Sequence, residues 1–188
     1  MEPGVPYRRY DYCRQGAYHL YGDIVFAATP PYNGTLAKYY VNASDFCYKI
    51  LANMDFEEAA MVEPTAVAVA ISKTADLRAH QTVVVLGCGP IGVLCQAVAK
   101  TWGAAKVIGV DVVDSRLEVA KSYGIDGVFK PRRPEDGVDL MQHAKDMAKE
   151  LKRTIGLGEG ADVVLECSGT EPCVQMGVFA AKRGATFV

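Results

Sequence analysis

The stretch Thr82-Val-Val-Val-Leu-Gly-Cys-Gly-Pro-Ile-Gly92 decides the fold of this chain. Its first five residues are uncharged and mostly β-branched, which is typical of a strand buried on both faces. The GxGxxG spacing then predicts a tight turn at Gly87, a close backbone approach at Gly89 and close helix–strand packing at Gly92. The free N–H groups of a helix that begins near Pro90 would face an anion such as a pyrophosphate.

An acidic residue completes this pattern at the end of the next strand. Asp111 follows the β-branched run Lys106–Val110 and lies 19 residues after Gly92. A carboxylate there can accept both ribose hydroxyls of adenosine and would repel a 2′-phosphate, so NAD is favoured over NADP. Arg116 is expected to lie over the adenine or near the ribose. The combined spacing therefore predicts dinucleotide binding.

Two other kinds of protein use a similar glycine-rich turn. A phosphate-binding NTPase loop needs Lys and Ser/Thr after its last glycine, whereas Gly92 is followed by Val93 and Leu94. A methyltransferase usually carries an acid just ahead of the glycines, where this chain has an apolar run. A methyltransferase-like module and a non-catalytic nucleotide-binding fragment stay open as alternatives.

Outward from the motif, apolar strands alternate with helices, which predicts a parallel sheet covered on both faces. We expect four complete strands and the start of a fifth: Thr82–Leu86, Lys106–Val110, 127–130, 162–166 and 186–188. The expected helices are 56–62, 64–77, 91–102, 115–123, 138–155 and 172–182. The basic cluster at 130–134 is interpreted as a solvated loop and the three histidines as surface residues. The fold class is α/β.

Residues 1–62 differ from the rest of the chain. They are rich in tyrosine and turn formers, with expected strands at 23–26 and 35–41 and a hairpin signal at Asn33-Gly34. We therefore predict a β-rich, irregular piece that precedes the parallel sheet.

Composition excludes several classes of partner and location. The 188 residues carry 20 Lys+Arg and 22 Asp+Glu, a net charge of −2, so nucleic acid is not an expected partner. Residues 81–99 are uncharged, but the glycines and Pro90 among them argue against a membrane span. The start Met1-Glu-Pro-Gly is unlike a signal peptide, and six scattered cysteines indicate a reducing compartment, taken as the cytoplasm.

Several stretches resemble the zinc-dependent medium-chain polyol dehydrogenases, in the branch of sorbitol and xylitol dehydrogenases. They are Ala27-Ala-Thr-Pro-Pro-Tyr-Asn-Gly-Thr-Leu-Ala-Lys-Tyr-Tyr, Asp45-Phe-Cys-Tyr-Lys, Met61-Val-Glu-Pro-Thr and Gly160-Ala-Asp-Val-Val-Leu-Glu-Cys-Ser-Gly. The likeness follows the whole chain in order. It implies part of a GroES-like catalytic domain over 1–62, then a linking helix and a partial NAD-binding Rossmann domain over 63–188.

The resemblance also implies an activity: oxidation of a polyol such as sorbitol or xylitol to a ketose, with zinc as Lewis acid and hydride transfer to NAD. Glu63 matches the carboxylate beside the catalytic zinc, and is thus a candidate catalytic, substrate and metal residue. Phe26 and Thr29 match positions that line the substrate pocket. Including the matches at Ile91 and Arg116, the candidate cofactor-binding residues are Gly87, Gly89, Ile91, Gly92, Asp111 and Arg116.

The chain also departs from the family pattern. The other catalytic-zinc ligands, a Cys and a His-Glu pair, are absent. Where many relatives have four structural-zinc cysteines, this chain has Tyr7, Tyr10, Cys13 and Tyr21, and one thiolate cannot hold that metal. We expect a truncated polyol dehydrogenase that is inactive alone. Relatives are often homotetramers.

Overall fold

The computed structural model describes residues 1–188 and divides them into two units, Met1–Phe56 and Glu57–Val188. The boundary expected at 62/63 lies slightly later, within a helical segment made of α2 (Phe56–Ala60) and α3 (Val62–Thr74). No helix of the chain is long and apolar enough to span a bilayer.

The first unit contains little regular structure. Its strands β1 (Gly4–Val5) and β2 (Val25–Phe26) form a two-residue antiparallel ladder, so the strand expected at 23–26 is confirmed in part. Its helices are α1 (Asp11–Arg14) and two 3₁₀ turns, Tyr18–Leu20 and Ser44–Phe46.

The expected β-rich character of this unit is wrong beyond that ladder. No strand forms at 35–41 and no hairpin forms around Asn33-Gly34. A strand requires a neighbour for its backbone groups, and this segment pairs with none. Its apolar side chains face solvent instead: Leu36 is 104% and Val41 94% exposed.

Aromatic side chains of the first unit pack together around Tyr21. The Tyr21 ring lies 6.2 Å from the Tyr7 ring and 5.8 Å from the Tyr10 ring, centroid to centroid. Nearby, the Tyr18 hydroxyl donates to the Glu2 carboxylate, and this bond together with burial raises the pKa of Tyr18 to about 12. Aromatic packing and a partly buried hydrogen bond thus contribute to the contacts within this unit.

The second unit is built on a five-stranded parallel sheet, which confirms the expected fold class. Its spatial order is β5-β4-β3-β6-β7. The strands are β3 (Thr82–Leu86), β4 (Lys106–Val110), β5 (Gly127–Phe129), β6 (Ala161–Glu166) and β7 (Ala181–Phe187). The chain moves outward on one side of β3 and then on the other. A crevice opens at this reversal, where ligands bind in such sheets.

Helices cover both faces of the sheet. They are α4 (Pro90–Thr101), α5 (Asp114–Ser122), α6 (Leu140–Ile155) and α7 (Glu171–Ala180). Alternate strand residues serve opposite faces: Val84 and Ile108 pack in the core under α6 and α7, while Val83 and Val107 pack in the core under α3 and α4. The predicted helices and strands of this unit are therefore confirmed apart from their ends.

The last helix and strand end differently from the prediction. Helix α7 stops at Ala180, and β7 begins at once at Ala181 instead of at Thr186. A register irregularity opposite Ala161 and Val163 separates the two paired parts of β7. The residues between those parts include charged side chains, which hid the strand from a pattern based on apolar runs.

Two aspartates fix strands at the edge opposite the crevice. Asp162 accepts the Thr82 N–H at 2.7 Å and pairs with Lys182. Asp126 accepts the Val107 N–H at 2.7 Å and pairs with Lys100. Burial alone would raise the pKa of each carboxyl, but these partners outweigh burial and hold both pKa values below the ordinary value. Both contacts are structural.

Candidate dinucleotide-binding site

The turn after β3 is held tightly against the turn after β6. Gly87 adopts φ +95°, and its N–H donates to the Val110 carbonyl at 2.7 Å. A Cβ on Gly87 would lie 2.9 Å from the carbonyl carbon and oxygen of Cys167. Both the backbone conformation and the available space therefore require glycine here.

The other two glycines of the motif lie in contrasting surroundings. A Cβ on Gly92 would lie 1.9 Å from the Gly87 oxygen, so α4 approaches the turn too closely for any side chain. A Cβ on Gly89 would meet nothing within 4 Å. Gly89 precedes α4 and supplies no side-chain cap, and Pro90 follows it. The first N–H groups of a 12-residue helix therefore lack side-chain acceptors beside open space, an arrangement suited to an anion.

Asp111 lies beside this turn. Its carboxylate accepts the Cys88 N–H at 2.8 Å through Oδ2 and the Val113 N–H at 2.9 Å through Oδ1. The Arg116 guanidinium lies 3.7 Å from Oδ2, and the Asp111 side chain is only 5% exposed. Each carboxylate oxygen has a further lone pair, so the fixed carboxylate can still accept hydroxyl groups of a ligand.

These groups line one cavity of about 430 Å³ at the carboxyl ends of β3, β4 and β6. Gly87, Gly89, Asp111 and Arg116 form one side of it. Pocket volumes of roughly 300–1,000 Å³ suit small-molecule ligands and cofactors. The structure thus brings together four of the six candidate cofactor-binding residues at the cavity wall, and Gly92 supports them from behind.

The loop after β5 also lines the cavity, while its side chains stay largely exposed, as the interpretation as a solvated loop predicts. Arg132 is fixed to α6 by three contacts: its N–H reaches the Met147 sulfur at 3.3 Å, its carbonyl meets His143 Nε2 at 2.9 Å, and its guanidinium pairs with Glu150 at 2.8 Å. Pro131, Arg132 and His143 all line the cavity. Because β5 is parallel to its neighbours, its carboxyl end reaches the same edge, and that rule could have located this loop.

Cys88, inside the glycine turn, has the environment of a packing residue. It is 3% exposed, and its sulfur accepts a weak hydrogen bond from Gln96 Nε2 at 3.3 Å. Burial raises the pKa of the Cys88 thiol, which disfavours the reactive thiolate. All six cysteines are free.

Ile91 does not line the cavity. Its side chain is partly buried and packs against the core under α3 and α4. Its place in the first turn of α4 leaves its backbone close to Gly89, so a cofactor contact through Ile91 stays a prediction.

The candidate catalytic residues are not assembled into a site. Glu63 is exposed in the first turn of α3. No group of three or more His, Cys, Asp or Glu side chains could hold a metal ion. Zinc needs three or four such donors, so the residues present do not fit a zinc site. Glu63 as a zinc-side carboxylate stays a prediction.

The candidate substrate residues lie in the first unit. Phe26 is 41% exposed in β2. Thr29 is exposed in the turn that follows, where its N–H donates to the Phe26 carbonyl at 3.2 Å. Their role in a substrate pocket stays a prediction.

Comparison with known proteins identifies the family. Residues 90–188, more than half of the chain, match the zinc-binding dehydrogenase family. The chain belongs to this family. That membership confirms the resemblance and argues against a methyltransferase-like module.

Individual relatives match the whole chain. D-xylulose reductase A of Aspergillus oryzae is 47% identical over 188 residues, which are 100% of this chain and 50% of that protein. An Escherichia coli oxidoreductase/dehydrogenase of unknown specificity, ECK1772, superposes with a TM-score of 0.85 at 31% identity, over 100% of this chain and 51% of that one. A zinc-binding dehydrogenase from Sinorhizobium meliloti bound to NADP has a TM-score of 0.84 at 25% identity, over 98% and 51%. The chain spans about half the length of the curated relatives it matches.

Proposed function

We propose that this chain forms the NAD-binding part of a zinc-dependent polyol dehydrogenase, which oxidises a secondary alcohol of a polyol such as xylitol or sorbitol to a ketose. The observation that carries the proposal is the meeting of Gly89, the uncapped start of α4 and Asp111 at one cavity. The D-xylulose reductase A of Aspergillus oryzae, 47% identical, supports the polyol class.

The residues of this chain bind and orient the cofactor. Backbone N–H groups at the start of α4 hold the pyrophosphate, where the absence of a Cβ on Gly89 allows contact. Asp111 accepts the adenosine ribose hydroxyls. Its negative charge in a largely enclosed position repels a 2′-phosphate, which supports NAD over the NADP found in the Sinorhizobium meliloti neighbour. The bound cofactor would supply a hydride acceptor for the alcohol carbon, and the residues of this chain would hold it at the start of α4 and at Asp111.

Zinc chemistry is not assigned to residues of this chain. Glu63 is one exposed carboxylate, and no other metal-ligating side chains gather around it. We accordingly propose that the 188-residue chain binds cofactor without turnover.

A pair of titrations tests cofactor binding. The purified chain is titrated with NADH and NADPH by calorimetry, with Gly89→Ala as matched control, since that variant adds only a methyl group facing open space. Saturable binding of NADH in preference to NADPH, weakened in the variant, is expected. A folded chain that binds neither nucleotide would contradict the proposal.

A chimera tests the reaction. The chain replaces the matching half of the Aspergillus oryzae D-xylulose reductase A, which it covers over 50% of that protein. We expect xylitol-dependent formation of NADH, with a higher KM for NAD when Asp111→Ser is introduced. A folded, zinc-loaded chimera that is inactive on xylitol, sorbitol and related alditols would contradict the polyol assignment.

We propose two further properties of the protein, its location and its assembly. Six free cysteines are compatible with the cytoplasm, which cell fractionation tests. Assembly into homotetramers follows the family resemblance and is tested by light scattering of the purified protein.

A further inference from the structure

The turn after β6 contains a chain of hydrogen bonds that the glycine motif does not explain. Glu166 ends β6, and its carboxylate accepts the N–H groups of Ser168 at 2.9 Å and of Gly169 at 3.1 Å. It also accepts the Ser168 hydroxyl. Because an ionised carboxylate can only accept, the single hydroxyl proton of Ser168 is directed at Glu166.

This arrangement sets the orientation of the next hydroxyl. Thr170 Oγ1 lies 3.0 Å from Ser168 Oγ, whose own proton is already used. Thr170 must therefore donate its proton to Ser168. The Ser168 oxygen also accepts the Thr170 N–H at 3.2 Å, so both of its lone pairs are occupied. Only the Thr170 oxygen keeps free lone pairs, and it lies at the outer end of this series of hydrogen bonds.

The position of Thr170 before α7 supports this reading. A threonine at this position commonly uses its side-chain oxygen to accept an N–H group of the first helical turn. Thr170 makes no such side-chain bond, although α7 begins directly after it. Its side chain is instead exposed, and Ser168 and Thr170 line the cavity together with Gly87 and Asp111.

Thr170 and Asp111 lie on opposite sides of the central strand. Thr170 follows β6 and Asp111 follows β4, and β3 separates these two strands. A dinucleotide with its adenosine ribose on Asp111 and its pyrophosphate at Gly89 extends its other half toward β6. A ribose hydroxyl in that half can donate a hydrogen bond to a free lone pair, whereas an ionised phosphate cannot.

We propose that Thr170 Oγ1 accepts a hydrogen bond from a hydroxyl of the nicotinamide-side ribose, and that Glu166 and Ser168 are positioning residues that fix its polarity. This inference rests on the proposed function, because it assumes that the cavity binds a dinucleotide. It adds a contact on the side of the cavity remote from Asp111.

Three ligands and two matched variants test the proposal on the full 188-residue chain. Thr170→Val removes the hydroxyl at nearly constant shape, and Thr170→Ser keeps it. NADH and ADP-ribose carry the second ribose, whereas ADP lacks it. Calorimetry should show that Thr170→Val lowers the affinity for NADH and for ADP-ribose about 3- to 10-fold and leaves the affinity for ADP unchanged. Thr170→Ser should bind all three ligands with the affinity of the unsubstituted chain.

A third variant tests the positioning residues. Glu166→Gln retains one acceptor but supplies an amide donor, so the Ser168 and Thr170 protons are no longer forced into one direction. We expect a smaller loss of affinity for NADH than in Thr170→Val, again without a loss of affinity for ADP. Thermal unfolding followed by circular dichroism verifies that each variant is folded.

The outcomes are distinguishable. Unchanged NADH affinity in folded Thr170→Val, or an equal loss for NADH and ADP, would overturn the inference while leaving the proposed function intact. A loss confined to xylitol binding would assign the hydroxyl to the substrate and also overturn it. If the unsubstituted chain bound none of the three nucleotides, the proposed function would be overturned, and this inference with it.

Discussion

The Asp111 carboxylate accepts the backbone N–H of Cys88 at 2.8 Å, which joins the end of β4 to the glycine turn after β3. The same carboxylate lies 3.7 Å from the Arg116 guanidinium and is 5% exposed at the cavity wall. One side chain thus fixes the turn that would hold a pyrophosphate and provides the charge that would select the ribose. The affinity and the specificity of the site are therefore coupled through Asp111.

Replacement of Asp111 should change cofactor preference. Asp111→Ser removes two charge-assisted ribose contacts, so NADH affinity should fall about tenfold or more, whereas NADPH loses a repulsion and should change less. The ratio of the two dissociation constants is measured by calorimetry. Asp111→Asn, which keeps an acceptor for Cys88, is the matched control and should lose less NADH affinity. An unchanged ratio in both folded variants would show that Asp111 does not contact the ribose.

Two glycine-to-alanine variants should separate folding from binding. A Cβ on Gly92 would lie 1.9 Å from the Gly87 backbone oxygen, so Gly92→Ala should cost about 1–3 kcal/mol or more of unfolding free energy. A Cβ on Gly89 would meet nothing within 4 Å, so Gly89→Ala should keep the stability of the chain while lowering its affinity for NADH. Urea unfolding and calorimetry measure the two effects. Equal stability of both variants would contradict the close packing of α4.

Much of this site could be predicted because its signals are local. The strand over Thr82–Leu86, the glycine spacing and Asp111 lie within a short stretch, and each carries its own physical reason. Helix α6 was also expected, from an amphipathic pattern within 138–155. In the structure Asp139 accepts the Met141 N–H at its start, and Gly156 takes a left-handed conformation at its end.

The remaining features depend on which strands become neighbours. The wall around Arg132 and the hydroxyl of Thr170 reach the cavity only because β5 and β6 end at the same sheet edge as β3. Conversely, the run over 35–41 has the pattern of a strand but pairs with no partner, so its local signal was misleading. Local pattern supplies the elements, and contacts distant in sequence decide their use.

Stability should depend on pH through Asp162. Burial alone would raise the pKa of Asp162, but Lys182 and the Thr82 N–H lower it below the ordinary 3.8. Its stabilisation is therefore present above pH 3.8 and is lost as the pH falls through the lower folded-state pKa. Asp162→Asn should cost about 1–3 kcal/mol at pH 7. Urea unfolding is measured from pH 7 to pH 3 for the variant and the unsubstituted chain. The difference between their free energies of unfolding should shrink below pH 4, and a difference that is constant with pH would contradict this linkage.

Chelators should leave the chain unaffected. Glu63 has no group of metal-ligating side chains around it, so dialysed protein should retain far less than one equivalent of zinc, measured by plasma mass spectrometry. Its melting temperature should be the same with and without EDTA. One equivalent of tightly held zinc, lost in Glu63→Gln, would contradict this expectation.

The most direct test of the site is to map NADH onto the backbone amides of ¹⁵N-labelled chain by NMR. If the pyrophosphate lies at the start of α4, the largest chemical-shift changes should fall on Gly87, Gly89 and Ile91, with Asp111 and Thr170 on either side. Changes confined to residues away from that cavity, or none at a saturating NADH concentration, would show that the cofactor does not bind there.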